Sequence, residues 1–301
     1  MPGLFHIRAP GFTPPAFLRR LARAAITGPP APFAAASKDA PLTLPIRLDL
    51  AAPLAEIVLN KPERRNALSV DMWAAIPGLV AEANANPEVK VILLHGGAAG
   101  AFAAGADISE FETIYATTDA AKASGQHIAN ALTALETSEK PVIAAIEGAC
   151  VGGGVSLAMA ADLRVAGASA KFGVTPGKLG LVYPAGDTRR LLAAIGPGAT
   201  KDILFTGRIF AADEAKSIGL IDRVVEAGTA LDAARAWAVE ISAISQWSVR
   251  AIKRMIRGLQ TGWSDDAEEA EALFLHGFAN EDFKEGYKAF LEKRPARFTY
   301  R

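Results

Sequence analysis

The 301-residue chain is predicted to be an α/β protein. Three observations lead there. Short β-rich apolar runs alternate with helical patterns along most of the chain. Two of those runs, at 89–95 and 141–146, pass through loops of tiny residues into helices. No segment recurs at a fixed period, so a solenoid of identical units is excluded.

Ordered structure is expected from about residue 42. Residues 55–59 are β-rich and stop at Asn60-Lys61-Pro62. Ser69 reads as the N-cap of a helix over 70–85, with Pro77 and Gly78 as a place for a kink. Residues 89–95 are the clearest strand, and 96–105 a small-residue loop. A helical turn is expected from Ile108 and a longer helix over 119–135. The unit then recurs as strand 141–146, glycine loop 148–154 and helix 155–161. Strand 163–166, helical stretches 191–194, 198–205 and 212–217, and strand 222–225 follow. From about Leu231 the pattern is helical, ending in a helix over 283–292.

Half of the residues are hydrophobic and 21% are charged, an ordinary globular balance. The formal net charge is zero, so no global field favours nucleic acid or an anionic membrane. No apolar run reaches the roughly 18 residues that a spanning helix needs. The single cysteine, Cys150, rules out an internal disulfide framework and fits a reducing compartment. His6, His95, His127 and His276 share no metal-type spacing. The first 38 residues contain no Asp or Glu and carry Arg8, Arg19, Arg20, Arg23 and Lys38. Two readings fit this leader: a disordered tail on a cytoplasmic protein, or a transit peptide addressing a mitochondrial matrix protein. The domain expectation is therefore a leader over 1–40, a core over 41–240 and a helical region over 241–301.

Two segments carry chemistry. In Ala101-Phe102-Ala103-Ala104-Gly105-Ala106-Asp107-Ile108, tiny residues let a ligand approach the backbone and leave N–H groups unpaired. A plain connection, with Asp107 favouring the positive end of a helix, fits the same residues. In Gly148-Ala149-Cys150-Val151-Gly152-Gly153-Gly154-Val155-Ser156, three glycines open a helix and point donors outward. The Gly-Lys-Ser/Thr ending of a P-loop is absent, and so is the spacing of a dinucleotide fingerprint. An oxyanion site is the remaining chemical use.

Together these segments resemble the crotonase (enoyl-CoA hydratase/isomerase) superfamily. The likeness runs from about Leu54 to the C-terminus. It includes Asn60-Lys61-Pro62-Glu63-Arg64-Arg65-Asn66-Ala67-Leu68, the Gly152–Gly154 triplet with Asp162-Leu163-Arg164 behind it, Lys171-Phe172-Gly173, Phe205-Thr206-Gly207-Arg208 and the tail from Glu281 to Arg294. The resemblance implies a crotonase-like ββα spiral with a helical C-terminal trimerisation region, built into homotrimers or dimers of trimers. It implies an acyl-CoA substrate and no cofactor beyond the coenzyme A that the substrate brings. It places the two oxyanion donors on the backbone of Ala106 and Gly153. It places coenzyme A and acyl contacts on Arg64, Asn66, Ala67, Ala104, Asp107, Ile108 and Gly152.

The chain departs from the family pattern where water is handled. Family hydratases place glutamates at the positions of Ser156 and Pro176. Serine holds a water but is no general base near neutral pH, and proline does neither. Two-glutamate hydration is therefore not expected. The stretch from Thr175 to Arg190 instead looks like the methylmalonyl-CoA decarboxylase branch, with Tyr183 at the tyrosine position. That branch has histidine where this chain has Ala106. Decarboxylation and isomerisation need an enolate but no activated water, so Ala106, Gly153, Tyr183 and Ser156 are the expected catalytic set. Asp187 reads either as an acid in the cleft or as the partner of Arg189 and Arg190. A catalytically silent trimeric binding or scaffold protein is the alternative.

Overall fold

The computed structural model describes residues 44–300; the leader over 1–40 lies outside them. Along the chain come β1 (Ile46–Ala51), β2 (Leu54–Leu59), α1 (Val70–Ala85), β3 (Val91–His95), α2 (Phe111–Ile114), α3 (Thr118–Glu136), β4 (Val142–Ile146) and β5 (Ala149–Val151). Then follow α4 (Gly153–Ala160), β6 (Leu163–Gly167), β7 (Lys171–Gly173), α5 (Ala185–Thr206), β8 (Ile209–Ala211), α6 (Ala212–Ser217) and β9 (Arg223–Val225). Four helices close the described chain: α7 (Ala230–Ser242), α8 (Gln246–Gln260), α9 (Glu268–Ala279) and α10 (Glu281–Leu291).

Six strands form one sheet in the order β1-β2-β3-β4-β6-β9, all parallel except the β1–β2 pair. Parallel strands are covered on both faces, which is why β3 and β4 read as unbroken apolar runs. Their side chains divide by alternation. Ile92, Leu94, Val142, Ala144 and Ile146 join the cluster that holds Met72, Trp73 and Ile76 of α1 and Leu132 of α3. Val91, Leu93, Ile143 and Ala145 face the other way, against Ala234 and Ala238 of α7. The alanines at i and i+4 let α7 approach the sheet closely.

Helix α1 begins where the sequence predicts. The Ser69 side chain caps it by accepting from the Met72 N–H. It runs on through Pro77 to Ala85, and buried Met72, Trp73, Ile76, Val80 and Ala83 mark its inner face. Helix α5 joins the two helical stretches expected at 191–194 and 198–205, interrupted at Gly196 (φ 70°, ψ 172°).

The structure adds what the pattern did not announce. Strand β1 pairs antiparallel along the edge of β2, with only Ile46 buried. A second sheet, β5-β7-β8, has three residues per strand. Runs that short carry no periodicity, and β5 lies inside the expected glycine loop. Helix α4 starts at Gly153 and ends at Ala160, so two of the three glycines are helical. Among the described residues, no helix is long and apolar enough to cross a membrane.

Candidate active site

Three loops leave the carboxyl ends of adjacent parallel strands: residues 60–69 after β2, 96–107 after β3 and 147–152 after β4. Open parallel sheets bind ligands at that edge. The backbone sews the loops together. Leu68 N–H donates to Gly105 O (2.7 Å), Asp107 N–H to Leu68 O (3.0 Å) and Ala104 N–H to Arg65 O (3.0 Å). On the other side, Phe102 N–H donates to Glu147 O (2.7 Å), Ala103 N–H to Ala149 O (2.9 Å) and Val151 N–H to Ala103 O (3.0 Å).

This stitching skips Ala106. Its neighbours face Leu68 through Gly105 O and Asp107 N–H, while the exposed Ala106 N–H donates to no group among the described residues. Gly153 is the first residue of α4, and its N–H is one of the donors that a helix start leaves over. The turn into α4 needs Gly152 at φ 52°, ψ −111°, a conformation closed to residues with a Cβ. A Cβ on Gly153 would stand 3.1 Å from the Trp73 ring and 3.2 Å from Leu68 Cδ1. Leu68 is therefore the common neighbour of both donors, bridged to Ala106 by backbone and touching Gly153 by side chain.

Ser156 follows Gly153 by three residues, on the same face of α4. Its hydroxyl is 2.7 Å from the Tyr183 hydroxyl, and both residues are buried. The Tyr183 hydroxyl also reaches Gly152 O at 3.5 Å. Burial, then the charge of Asp187, pushes the Tyr183 phenol far up, so it is a neutral donor and acceptor. The Asp187 carboxyl is also buried. Burial raises its pKa against the opposing pull of Arg190 and Ser156. Arg190 Nη1 stands 3.2 Å from Asp187, and its Nη2 stands 2.6 Å from Glu136. Arg189 pairs with the same Glu136 at 2.9 Å. Burial works to raise Glu136, but the two arginines outweigh it and hold the carboxyl low. Asp187 thus pairs with Arg190, whereas Arg189 turns to Glu136. Pro176 opens a 3-10 turn over Pro176–Leu179 and brings no carboxylate.

The residues expected to contact coenzyme A lie on the three loops or just beyond them, in different settings. Arg64 and Ala104 are exposed, Ala67 and Gly152 are half-buried, and Ile108 is 73% exposed. Asn66 is fully buried at φ 56°. Its side chain accepts from Lys61 N–H (2.8 Å) and donates to Gly96 O and Ala101 O (2.9 Å each), tying the first loop to the second. Asp107 caps the 3-10 turn Ile108–Glu110 through Ser109 and takes a 2.7 Å bond from Lys61 Nζ. Leu68 and Trp73 carry no functional signal in the sequence. They matter by touching Gly153, which no local pattern encodes.

The hydrogen bond from Lys61, then those from Ser109, lower the Asp107 pKa from 3.8 to about 2, and the residue is 5% exposed. A depressed folded-state pKa gives stability that is complete above the unfolded value and lost as the pH falls through the folded one. The wild type is expected to exceed Asp107→Asn in stability by about 2 kcal/mol at neutral pH, converting the shift at about 1.4 kcal/mol per unit. The difference should shrink between pH 3.8 and about 2. Urea unfolding of both proteins across that range checks it, and a gap independent of pH would refute it.

The family model of enoyl-CoA hydratase/isomerase matches residues 49–301. The chain is 38% identical over 255 residues to a crotonyl-CoA hydratase of Syntrophomonas wolfei, covering 84% of this chain and 97% of that one. Among solved structures, an enoyl-CoA hydratase/isomerase family protein from Hyphomonas neptunium superposes with a TM-score of 0.85 at 87% identity, covering 86% of this chain and 98% of that one. An enoyl-CoA hydratase/carnithine racemase from Magnetospirillum magneticum gives 0.82 at 35% identity, covering 86% and 97%.

Proposed function

Because this chain belongs to the enoyl-CoA hydratase/isomerase family, with its α/β crotonase fold, we propose that it turns an acyl-CoA thioester into an enolate held by Ala106 and Gly153, and that decarboxylation or double-bond isomerisation follows. One observation carries the reading: two unpaired backbone N–H groups flank Leu68, and Ser156, three residues beyond Gly153 and 2.7 Å from the Tyr183 hydroxyl, stands at a position where the family likeness would put a water-activating carboxylate.

The chemistry follows from the donors. A thioester carbonyl oxygen that accepts from both N–H groups gains most when it becomes an oxyanion, so the donors favour the transition state over the substrate. One such donor is worth about 10²–10³ in kcat. Loss of CO₂ leaves its electron pair on the α-carbon, and the pair delocalises onto that oxygen without a base. In isomerisation a proton leaves one carbon and returns two carbons away, and the Tyr183 hydroxyl lies beside Ser156 to handle it. Hydration would need a water activated by a carboxylate, and neither Ser156 nor Pro176 is one. The exposed arginine of the first loop, Arg64, together with Asn66, Ala67 and Ala104, gives the coenzyme its place by family likeness. Exposed Phe274, Phe278, Phe283 and Phe290 on the last two helices fit a contact between subunits of a trimer.

The alternative is a silent trimer that binds coenzyme A thioesters without turning them over. Ser156 and Pro176 favour it. A panel of malonyl-, methylmalonyl-, crotonyl- and 3-hexenoyl-CoA, followed by mass spectrometry, separates the two. Turnover of at least one is expected, and Tyr183→Phe should lower its kcat by about 10²-fold or more. Binding without turnover of any would favour the silent trimer, and a fully active Tyr183→Phe would remove the tyrosine from the mechanism.

A further inference from the structure

We infer that neutral His95 is a positioning residue that seats the root of the oxyanion loop by accepting the Gly97 N–H, and that protonating its imidazole releases that root. The consequence for rate rests on the enolate reading above.

A hydrogen-bonded chain crosses three elements to reach the loop. Arg235 of α7 donates to Glu56 of β2 through Nε (2.8 Å) and Nη2 (2.9 Å). Glu56 Oε2 lies 3.1 Å from Nε2 of His95, the last residue of β3. His95 Nδ1 accepts the Gly97 N–H at 3.1 Å. Glu56 and Arg235 are 179 positions apart, so no local motif brings them together. Alternation along β3 turns His95 to the side of Val91 and Leu93, which face α7. His95 is 6% exposed, whereas His127 and His276 lie at the surface.

The backbone fixes the tautomer. A peptide N–H can only donate, so Nδ1 is the unprotonated nitrogen and Nε2 carries the hydrogen that Glu56 accepts. An imidazolium bears a hydrogen on both nitrogens. Its Nδ1–H would point at the Gly97 N–H, and a hydrogen bond would give way to two opposed donors. Gly97 itself is closely held, at φ 56° and with only 3.0 Å between an added Cβ and Val58 Cγ1. The turn it opens carries the Asn66 bridge, since Gly96 O and Ala101 O both accept from Asn66 Nδ2 at 2.9 Å. On its other side, a Cβ on Gly148 would fall 2.1 Å from Gly100 O. Residues 96–101 are thus wedged between the first and third loops, and Ala106 follows from that root.

The charges around His95 keep it neutral near pH 7. Burial lowers its pKa below the ordinary 6.5, against the attraction of Glu56. Arg235 and Arg47 of β1 act with burial, and each has an acid of its own, Asp232 at 3.6 Å and Asp49 at 3.0 Å. Burial works to raise Glu56, but Arg235 and then His95 outweigh it and hold the carboxyl low. Because the unfolded chain takes the histidine proton first, acid withdraws stability from about pH 6.5 downward. The contrary view is a strand-end histidine that satisfies its own two nitrogens and has no bearing on the loop.

Two amides separate these views. His95→Asn puts a carbonyl oxygen about where Nδ1 stands, an acceptor that does not titrate. His95→Gln puts an amide nitrogen about where Nε2 stands, which keeps the donor to Glu56 and leaves Gly97 without an acceptor. Amide hydrogen exchange of residues 96–107, read by mass spectrometry between about pH 8 and 5 and corrected for the intrinsic rate, reports the seat. In the wild type, protection should fall towards acid by up to about tenfold, the worth of one backbone hydrogen bond. His95→Asn should keep the neutral-pH protection throughout, and His95→Gln should lack it at every pH. Unchanged exchange in β4 controls for folding. For any acyl-CoA of the panel that turns over, kcat should be about 10²-fold lower in His95→Gln and restored in His95→Asn, with acyl-CoA affinity by calorimetry the same in both. Wild-type protection independent of pH, or wild-type protection in His95→Gln, would overturn the seat. Protection lost in His95→Gln with kcat unaltered would overturn the positioning role. Turnover of no substrate would count against the enolate reading instead, and the exchange measurement would then decide the seat alone.

Discussion

Gly153→Pro is expected to lower kcat by about 10²–10³-fold without unfolding the protein, because it deletes one N–H and little else. Residue 153 is the first of α4, the position where proline is best tolerated in a helix. Its N–H has no acceptor there, so no internal hydrogen bond is lost. The preceding residue is Gly152, which has no Cβ to strike the ring. The added carbons do meet the Trp73 ring and Leu68 at 3.1–3.2 Å, where side chains must give by a few tenths of an ångström. Gly153→Ala separates the two effects, since it brings the same Cβ and keeps the donor. The alanine variant should hold most of the activity and the proline variant very little, with similar acyl-CoA affinity for both. Equal activity in the two would mean that the Gly153 N–H is not an oxyanion donor.

Why this comparison is needed bears on what a sequence can say. The glycine triplet announces exposed donors at a helix start, and its spacing excludes the phosphate and dinucleotide uses. It does not say that a second unpaired N–H, that of Ala106, has Leu68 as a common neighbour, because that depends on how Leu68 sits between the loops. Only the likeness to a family joined the two loops before the structure did. The same division runs through the fold. Strands β3 and β4 are legible because burial on both faces leaves only apolar residues. The small sheet is illegible because each of its strands is three residues long and its partners lie 22 to 40 positions apart. Asp187 illustrates the limit for the site. Beside Arg189 and Arg190 its local sequence reads as an ion-pair partner, and its burial, with Glu136 of α3 sharing Arg190, is set by tertiary packing.

Phe102 anchors the loop that carries Ala106, and Phe102→Ala is expected to be the most destabilising single change over residues 101–106. Residues 101–106 are otherwise alanine and glycine, which confer little packing and much conformational freedom. Phe102 is the exception, and it is fully buried. Its N–H binds Glu147 O at the root of the next loop, so ring and backbone anchor the segment at one point. Truncating a buried phenylalanine typically costs about 3–5 kcal/mol in lost transfer energy and residual cavity. That is a large share of the 5–15 kcal/mol that a typical domain commands. The damage should also reach the chemistry. Ala106 is four residues on, and its position depends on the ladder from Ala103 to Asp107 staying in register. A misplacement of about 1 Å costs on the order of 10²-fold in rate. Urea midpoints and kcat measured on the same preparations test both parts, with Phe102→Leu retaining most of the volume as a control. Stability lost with kcat unchanged would show that the hydrogen bonds on either side of the loop suffice to place Ala106. Stability and kcat both unchanged would remove Phe102 as the anchor altogether.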